Sequence, residues 1–189
     1  MGIQISDTTT RYGLISTFLH WLIAVTFIGL FGIGWYMVTL GYYDSWYTTL
    51  PHWHKSIGML LFIVVLSRGG WRLFVRKPSR LEAHRSWEVM SSWIAHWLLG
   101  IGVTVVLVSG YFIPTAQGSS ISVFNWFAFP AVLSLPDQED ISGAVHRYVA
   151  YFVFGLGIAH AGAALKHHFF DKDDTLRRIL LVSSHRNPS

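Results

Sequence analysis

Four apolar stretches, each long enough to cross a bilayer, constrain this 189-residue chain more than any other feature. A hydrocarbon core of about 30 Å takes about 20 helical residues to span. Stretches near residues 16–40, 51–74, 91–113 and 143–166 meet that length. Inside lipid every backbone N–H and C=O must find its partner within the protein, so each stretch is predicted to be a helix. Only 13% of the residues are charged, where soluble domains carry about 25%. The expected fold is an all-α membrane protein, a bundle of four transmembrane helices forming one domain over residues 1–189.

Local signals refine the boundaries. Pro51 suits a helix start, where its missing N–H would be unpaired anyway, and Pro114 is expected to close the third helix. The connection over 115–142 is long for two packed helices. Its Ile121, Phe124, Trp126 and Phe129 are too apolar for a free loop, so it is expected to lie as a cap on the outer membrane surface. In the tail, 169–189, Leu176, Ile179, Leu180 and Val182 stand beside Arg177 and Arg178 and predict a short interfacial helix.

Charge sets the orientation. Between the second and third stretches lie Arg76, Lys77, Arg80 and Arg85, with Arg68 and Arg72 in the last turns of the second. Beyond the fourth lie Lys172, Arg177, Arg178 and Arg186, with Lys166 at its end, and Arg11 precedes the first. Of the other two connections, which carry no such bias, the longer holds Asp137, Glu139 and Asp140. Positive loops stay cytoplasmic, so both termini and the middle loop are expected on the cytoplasmic side. The net charge of +4 is explained by these flanking residues and does not call for a nucleic acid partner.

Against this topology the histidines fall into a pattern. His20 starts near the inner end of the first helix and His54 near the outer end of the second. His146 and His160 both belong to the fourth, fourteen residues apart, which is roughly four turns and about 21 Å on one helix face. Sorted by depth, His54 meets His146 near the outer surface and His20 meets His160 near the inner one. An ionisable side chain in lipid is costly and marks function by default. Two stacked metal centres, each a haem between two imidazoles, account for the pairing. An iron saturated by histidine from both sides passes electrons and binds no dioxygen.

Other readings use the same residues. Histidines hydrogen-bond between membrane helices, and proton relays or zinc paths also employ them. A relay needs carboxylates as well, and the interiors of these stretches contain no Asp or Glu. The chain has no cysteine, which excludes disulfides, thiolate ligation and covalent haem attachment.

Small residues leave room for a planar cofactor. Gly155, Gly157, Ala159, Ala161, Gly162, Ala163 and Ala164 surround His160, Gly58 lies one turn beyond His54, and Gly29, Gly32 and Gly34 line the first helix. Close helix packing alone also selects such residues. Lys55 and Arg147, each following an outer histidine, are candidate partners for haem propionates. His96 is a candidate substitute ligand or propionate partner, the second role being preferred. His167 and His168 suit a helix C-terminus, and His167 is also placed to hydrogen-bond a quinone head group. His52 is expected just outside the second helix, and His84 and His185 in solvent.

The runs Phe18-Leu19-His20-Trp21 and His54-Lys55-Ser56-Ile57-Gly58, the His146 to His160 spacing, and Lys166-His167-His168-Phe169 through Asp171-Lys172-Asp173-Asp174-Thr175-Leu176 together resemble the bacterial cytochrome b561 family. The resemblance covers nearly the whole chain. It implies a four-helix membrane bundle with two non-covalent haems b, ligated axially by His20, His54, His146 and His160. It places His96 where many members have a histidine that is not assigned as a ligand. It further implies one of two activities. Some members are superoxide oxidases, moving single electrons from superoxide to ubiquinone, and others resemble cytochrome subunits that link a partner redox protein to quinone. The sequence allows electron flow in either direction. A histidine-based proton or metal transporter is the remaining alternative.

Overall fold

A computed structural model describes residues 4–9, 11–75, 78–79 and 86–180. Four long helices carry the chain: α1 (Leu14–Met37), α2 (Thr49–Phe74), α3 (Ser86–Thr115) and α4 (Gln138–Phe169). A hairpin of β1 (Ile121–Val123) and β2 (Phe127–Phe129) separates α3 from α4, and α5 (Thr175–Ile179) follows α4. Each long helix is apolar enough to cross a membrane, and their lengths of 24 to 32 residues correspond to about 36–48 Å.

The helices outrun the apolar stretches at several ends. α2 begins at Thr49, so His52 lies within its first turn and not outside it. α3 begins at Ser86 and continues one residue past Pro114, and α4 begins at Gln138. Only α1 stops early, at Met37. Backbone hydrogen bonding does not end where hydrophobicity does, because head groups and water solvate polar side chains beyond the lipid core. Pro114 removes a single intrahelical bond so near the end that the helix tolerates it.

α4 packs chiefly on α3, and α1 on α2, with lighter contacts between α2 and α3 and between α1 and α4. Leu30, Leu61 and Leu107 form a small buried core shared by α1, α2 and α3, supported by Ile23, Phe27, Ile57, Phe62, Val65 and Val103. Gly102 lets α3 approach α4, since a Cβ there would collide with Val153. Phe31 of α1 stacks on Phe154 of α4 with ring centroids 4.0 Å apart. Exposed aromatics such as Trp35, Tyr36 and Trp46 near one end, and Trp87 and Trp93 near the other, suit two interfacial belts.

The connection between α3 and α4 contains a short hairpin. β1 and β2 pair antiparallel with Ile121 opposite Phe129. Phe124 and Asn125 both take positive φ, 46° and 61°, and Trp126 N–H closes the turn on the Val123 carbonyl at 2.9 Å. Asn favours that conformation; a bulky residue such as Phe does not. Phe124 is held there from α2. Its N–H donates to Ser56 Oγ at 3.1 Å, and its ring meets His52 and Trp53 edge-on. Ser56 and Val123 are fully buried, and Met59, Ile121 and Val123 make a second core. Gln138 ties the start of α4 to the end of α3, donating from Nε2 to the Phe112 carbonyl at 2.9 Å.

The expected tail helix is present as α5, though shorter. Trp21 Nε1–H donates to the Ile179 carbonyl at 3.0 Å and docks α5 on α1. His84, Arg76, Lys77, Arg80, Arg85, Val182, His185 and Arg186 lie outside the described residues.

Candidate haem centres

His54 of α2 and His146 of α4 face each other. Their ring centroids are 6.1 Å apart and their planes stand at 74°. Two imidazoles bonded to one metal from opposite sides, through metal–nitrogen bonds of about 2 Å, have centroids roughly 6 Å apart. The donors and the spacing therefore fit an iron held between them.

The groups around these rings support the same fit. His146 Nδ1–H donates to the Val106 carbonyl of α3 at 2.8 Å. That bond fixes the ring and leaves Nε2 as the free donor, the usual arrangement behind a metal-ligating histidine. His54 Nδ1 is buried beside the Leu30 backbone of α1, outside hydrogen-bond geometry. Two glycines make space for the rings. A Cβ at Gly110 would stand 2.9 Å from His146 Cε1, and one at Gly34 would stand 3.2 Å from His54 Cε1. On the histidine-bearing faces, a Cβ at Gly58 or Gly157 would meet no atom within 4 Å.

At the other end, His20 of α1 lies within electrostatic reach of both His160 and His96. Arg68 of α2 donates from Nη1 to His20 Nδ1 at 3.2 Å. The His96 ring is 4.9 Å from the His160 ring, at 80°, closer than two rings on opposite sides of one metal. His96 Nδ1–H donates to the Ser92 carbonyl, one turn back on α3, at 2.6 Å.

The remaining sequence candidates sit at the margins. Lys55 and Arg147 are exposed, and neither makes a hydrogen bond or ion pair among the described residues. His167 Nδ1 lies 2.8 Å from Asp171 and 3.2 Å from Asp173. Lys166 Nζ bridges Asp171 at 2.7 Å and Glu88 of α3 at 3.2 Å. Glu88, His167 and Asp171 converge, but the Lys166 ammonium already joins the two carboxylates, which makes the cluster an ion-pair network. That ammonium, hydrogen-bonded to Asp171, holds its carboxyl below the usual carboxylate range.

Sequence reading missed four contributors. Arg68 registered only as a loop-flanking charge, although it lies fourteen residues beyond His54 and so on the same face of α2. Nothing in the sequence separates Gly110 from the other glycines of the helices. The Val106 carbonyl has no side-chain signature, and Ser56 reads as an ordinary small residue of a membrane helix.

Known proteins resemble this chain along most of its length. The family of the prokaryotic cytochrome b561 matches residues 11–181. Cytochrome b561 homolog 2 of Escherichia coli (strain K12) is 43% identical over 96% of this chain and 97% of its own length. Cytochrome b561 homolog 1 of the same organism is 25% identical over 90% of this chain and 97% of its own. A protein named probable superoxide oxidase CybB, from Yersinia pestis, is 26% identical over 90% and 96%. A family match over most of the chain, four apolar helices and facing histidines lead to one assignment: this chain belongs to the prokaryotic cytochrome b561 family, multi-pass bacterial membrane proteins that transfer electrons through haem b.

Proposed function

We propose that His54 and His146 hold one haem b near the outer face and His20 and His160 hold a second near the cytoplasmic face, both termini being cytoplasmic. The chain then carries single electrons between the outer face and the quinone pool. The observation that carries this reading is the facing pair of rings 6.1 Å apart, drawn from helices whose depth order predicts it. The haems supply the one-electron chemistry when bound; the protein supplies ligation, orientation and charge.

Each residue has a defined task. The Val106 carbonyl orients His146, and Gly34 and Gly110 admit the rings. His96, too close to His160 to share an iron across from it, is left to bond a propionate. Lys55 and Arg147, exposed beside the outer histidines, offer positive charge to an anion arriving from outside. Superoxide is a one-electron anionic donor of that kind, and one relative bears the name probable superoxide oxidase. Ubiquinone is the acceptor that a membrane-embedded inner site would serve, with His167 at its head group. The activity assigned is superoxide:ubiquinone oxidoreductase.

The test is turnover by the purified, haem-loaded protein. Steady superoxide consumption with a short-chain ubiquinone supports the enzyme. Turnover only after a partner redox protein is added identifies an electron-transfer subunit instead. An absence of haem bands in the reduced-minus-oxidised spectrum refutes both and leaves the transporter.

A further inference from the structure

The geometry points to Arg68 as the residue that directs electron flow inward, by holding the reduction potential of the inner haem above that of the outer one. This rests on the two-haem reading above.

The two histidine sites differ in the charge that touches them. At the inner site a guanidinium hydrogen-bonds the His20 ring at 3.2 Å. Guanidinium has only donors and keeps its charge at any relevant pH. Its side chain is half-buried, and no carboxylate among the described residues lies within ion-pair distance of it, although Asp7 attracts it electrostatically. The nearby Asp7 instead accepts from Gly13 N–H at 2.7 Å and Ser16 Oγ–H at 2.8 Å, and lies 3.9 Å from Arg72. At the outer site the ring contacts are carbonyls. His146 donates to Val106, and His54 faces Leu30. The outer cations, Lys55 and Arg147, are exposed, where solvent and salt screen them.

The sign follows from electrostatics. Reduction adds one negative charge to a haem. A cation in a poorly solvated position stabilises that form and raises the potential. A carbonyl accepting from Nδ1–H makes the imidazole a stronger donor, favours the oxidised iron and lowers the potential. A haem held through His20 Nε2 would leave the ring proton on Nδ1, so Arg68 would act on this site through its charge and not through the hydrogen bond. Haems at the two sites would supply one-electron transfer, with no bond formed or broken between them; two electrons from a one-electron donor outside, with two protons, would reduce one quinone.

The experiment is a spectroelectrochemical titration of the full-length, haem-loaded protein, with the outer couple assigned by its loss in His146→Ala. In the unaltered protein the inner couple should titrate above the outer. Arg68→Gln should lower the inner couple by a tenfold or larger change in its ferrous-to-ferric ratio, about 59 mV for one electron, without moving the outer couple. Arg68→Lys, which keeps the charge, should retain most of the gap. An outer couple above the inner one, or potentials that Arg68→Gln leaves unmoved or shifts together, would overturn the assignment. If Arg68→Gln sheds the inner haem, the order of potentials in the unaltered protein and the Arg68→Lys titration decide the matter. Finding one haem per chain would overturn the two-haem reading itself, whereas two haems with unmoved potentials would overturn only the role of Arg68.

Discussion

The rings of His54 and His146 stand 6.1 Å apart at 74°, and the second is fixed from behind by the Val106 carbonyl at 2.8 Å. Two helices distant in sequence thus present imidazoles at one depth with ligating nitrogens free. Gly110, one turn beyond Val106 on the same helix, is part of the arrangement.

Gly110→Ala is expected to disturb the outer site selectively. Its Cβ would press on His146 at 2.9 Å from Cε1 and 3.0 Å from Nδ1, and the Val106 bond resists displacement of the ring. Overpacking of this kind costs about 1–3 kcal/mol. The low-temperature electron paramagnetic resonance signal of the outer haem should shift or vanish, with the inner signal intact. Equal disturbance of both signals would contradict the local role given to this glycine.

His96→Ala should leave two haems bound. The 4.9 Å separation from His160 and the bond from Nδ1 to Ser92 leave His96 no place opposite His160 on one iron. Only the inner band should move, through loss of a propionate contact. A variant carrying one haem would show that His96 is a ligand.

Hydropathy predicts the four long apolar helices, and depth order predicts the facing of His54 and His146. Helix ends are less legible: Glu88 and the run Gln138-Glu139-Asp140 interrupt the apolar pattern, yet they lie within α3 and α4. The hairpin was hidden because Phe124 takes a positive φ that its side chain disfavours, held by Ser56 from a helix far away in sequence. Arg68 and His20 meet through the relative rotation of α1 and α2, which no local pattern encodes.

Ser56→Ala should destabilise the connection between α3 and α4. It removes the acceptor of Phe124 N–H and the contact of Ser56 Oγ with the Ser122 carbonyl at 3.5 Å. Leaving a buried N–H unpaired costs about 1–3 kcal/mol. Hydrogen exchange at residues 121–129 should accelerate while that of α3 and α4 stays protected. Unchanged exchange in the hairpin would show that Ser56 does not pin it.

The C-terminal end of α4 should loosen in acid. Lys166 depresses the Asp171 carboxyl below its ordinary value of 3.8. A group depressed in the fold adds stability that is complete above its ordinary value and is lost as pH falls through the lower one. Protection of amides around residues 166–175, taken relative to their intrinsic exchange rates, should therefore fall as pH drops below about 4, and Asp171→Asn should remove that dependence. A profile identical in both proteins would assign the acid response to other groups.

The central claim is that paired histidines hold two haems at two depths, and haem stoichiometry tests it most directly. The pyridine haemochrome of the purified, fully loaded protein should give two haems b per chain, and one in His146→Ala or His160→Ala. A single haem in the unaltered protein, or two retained in both variants, would contradict it.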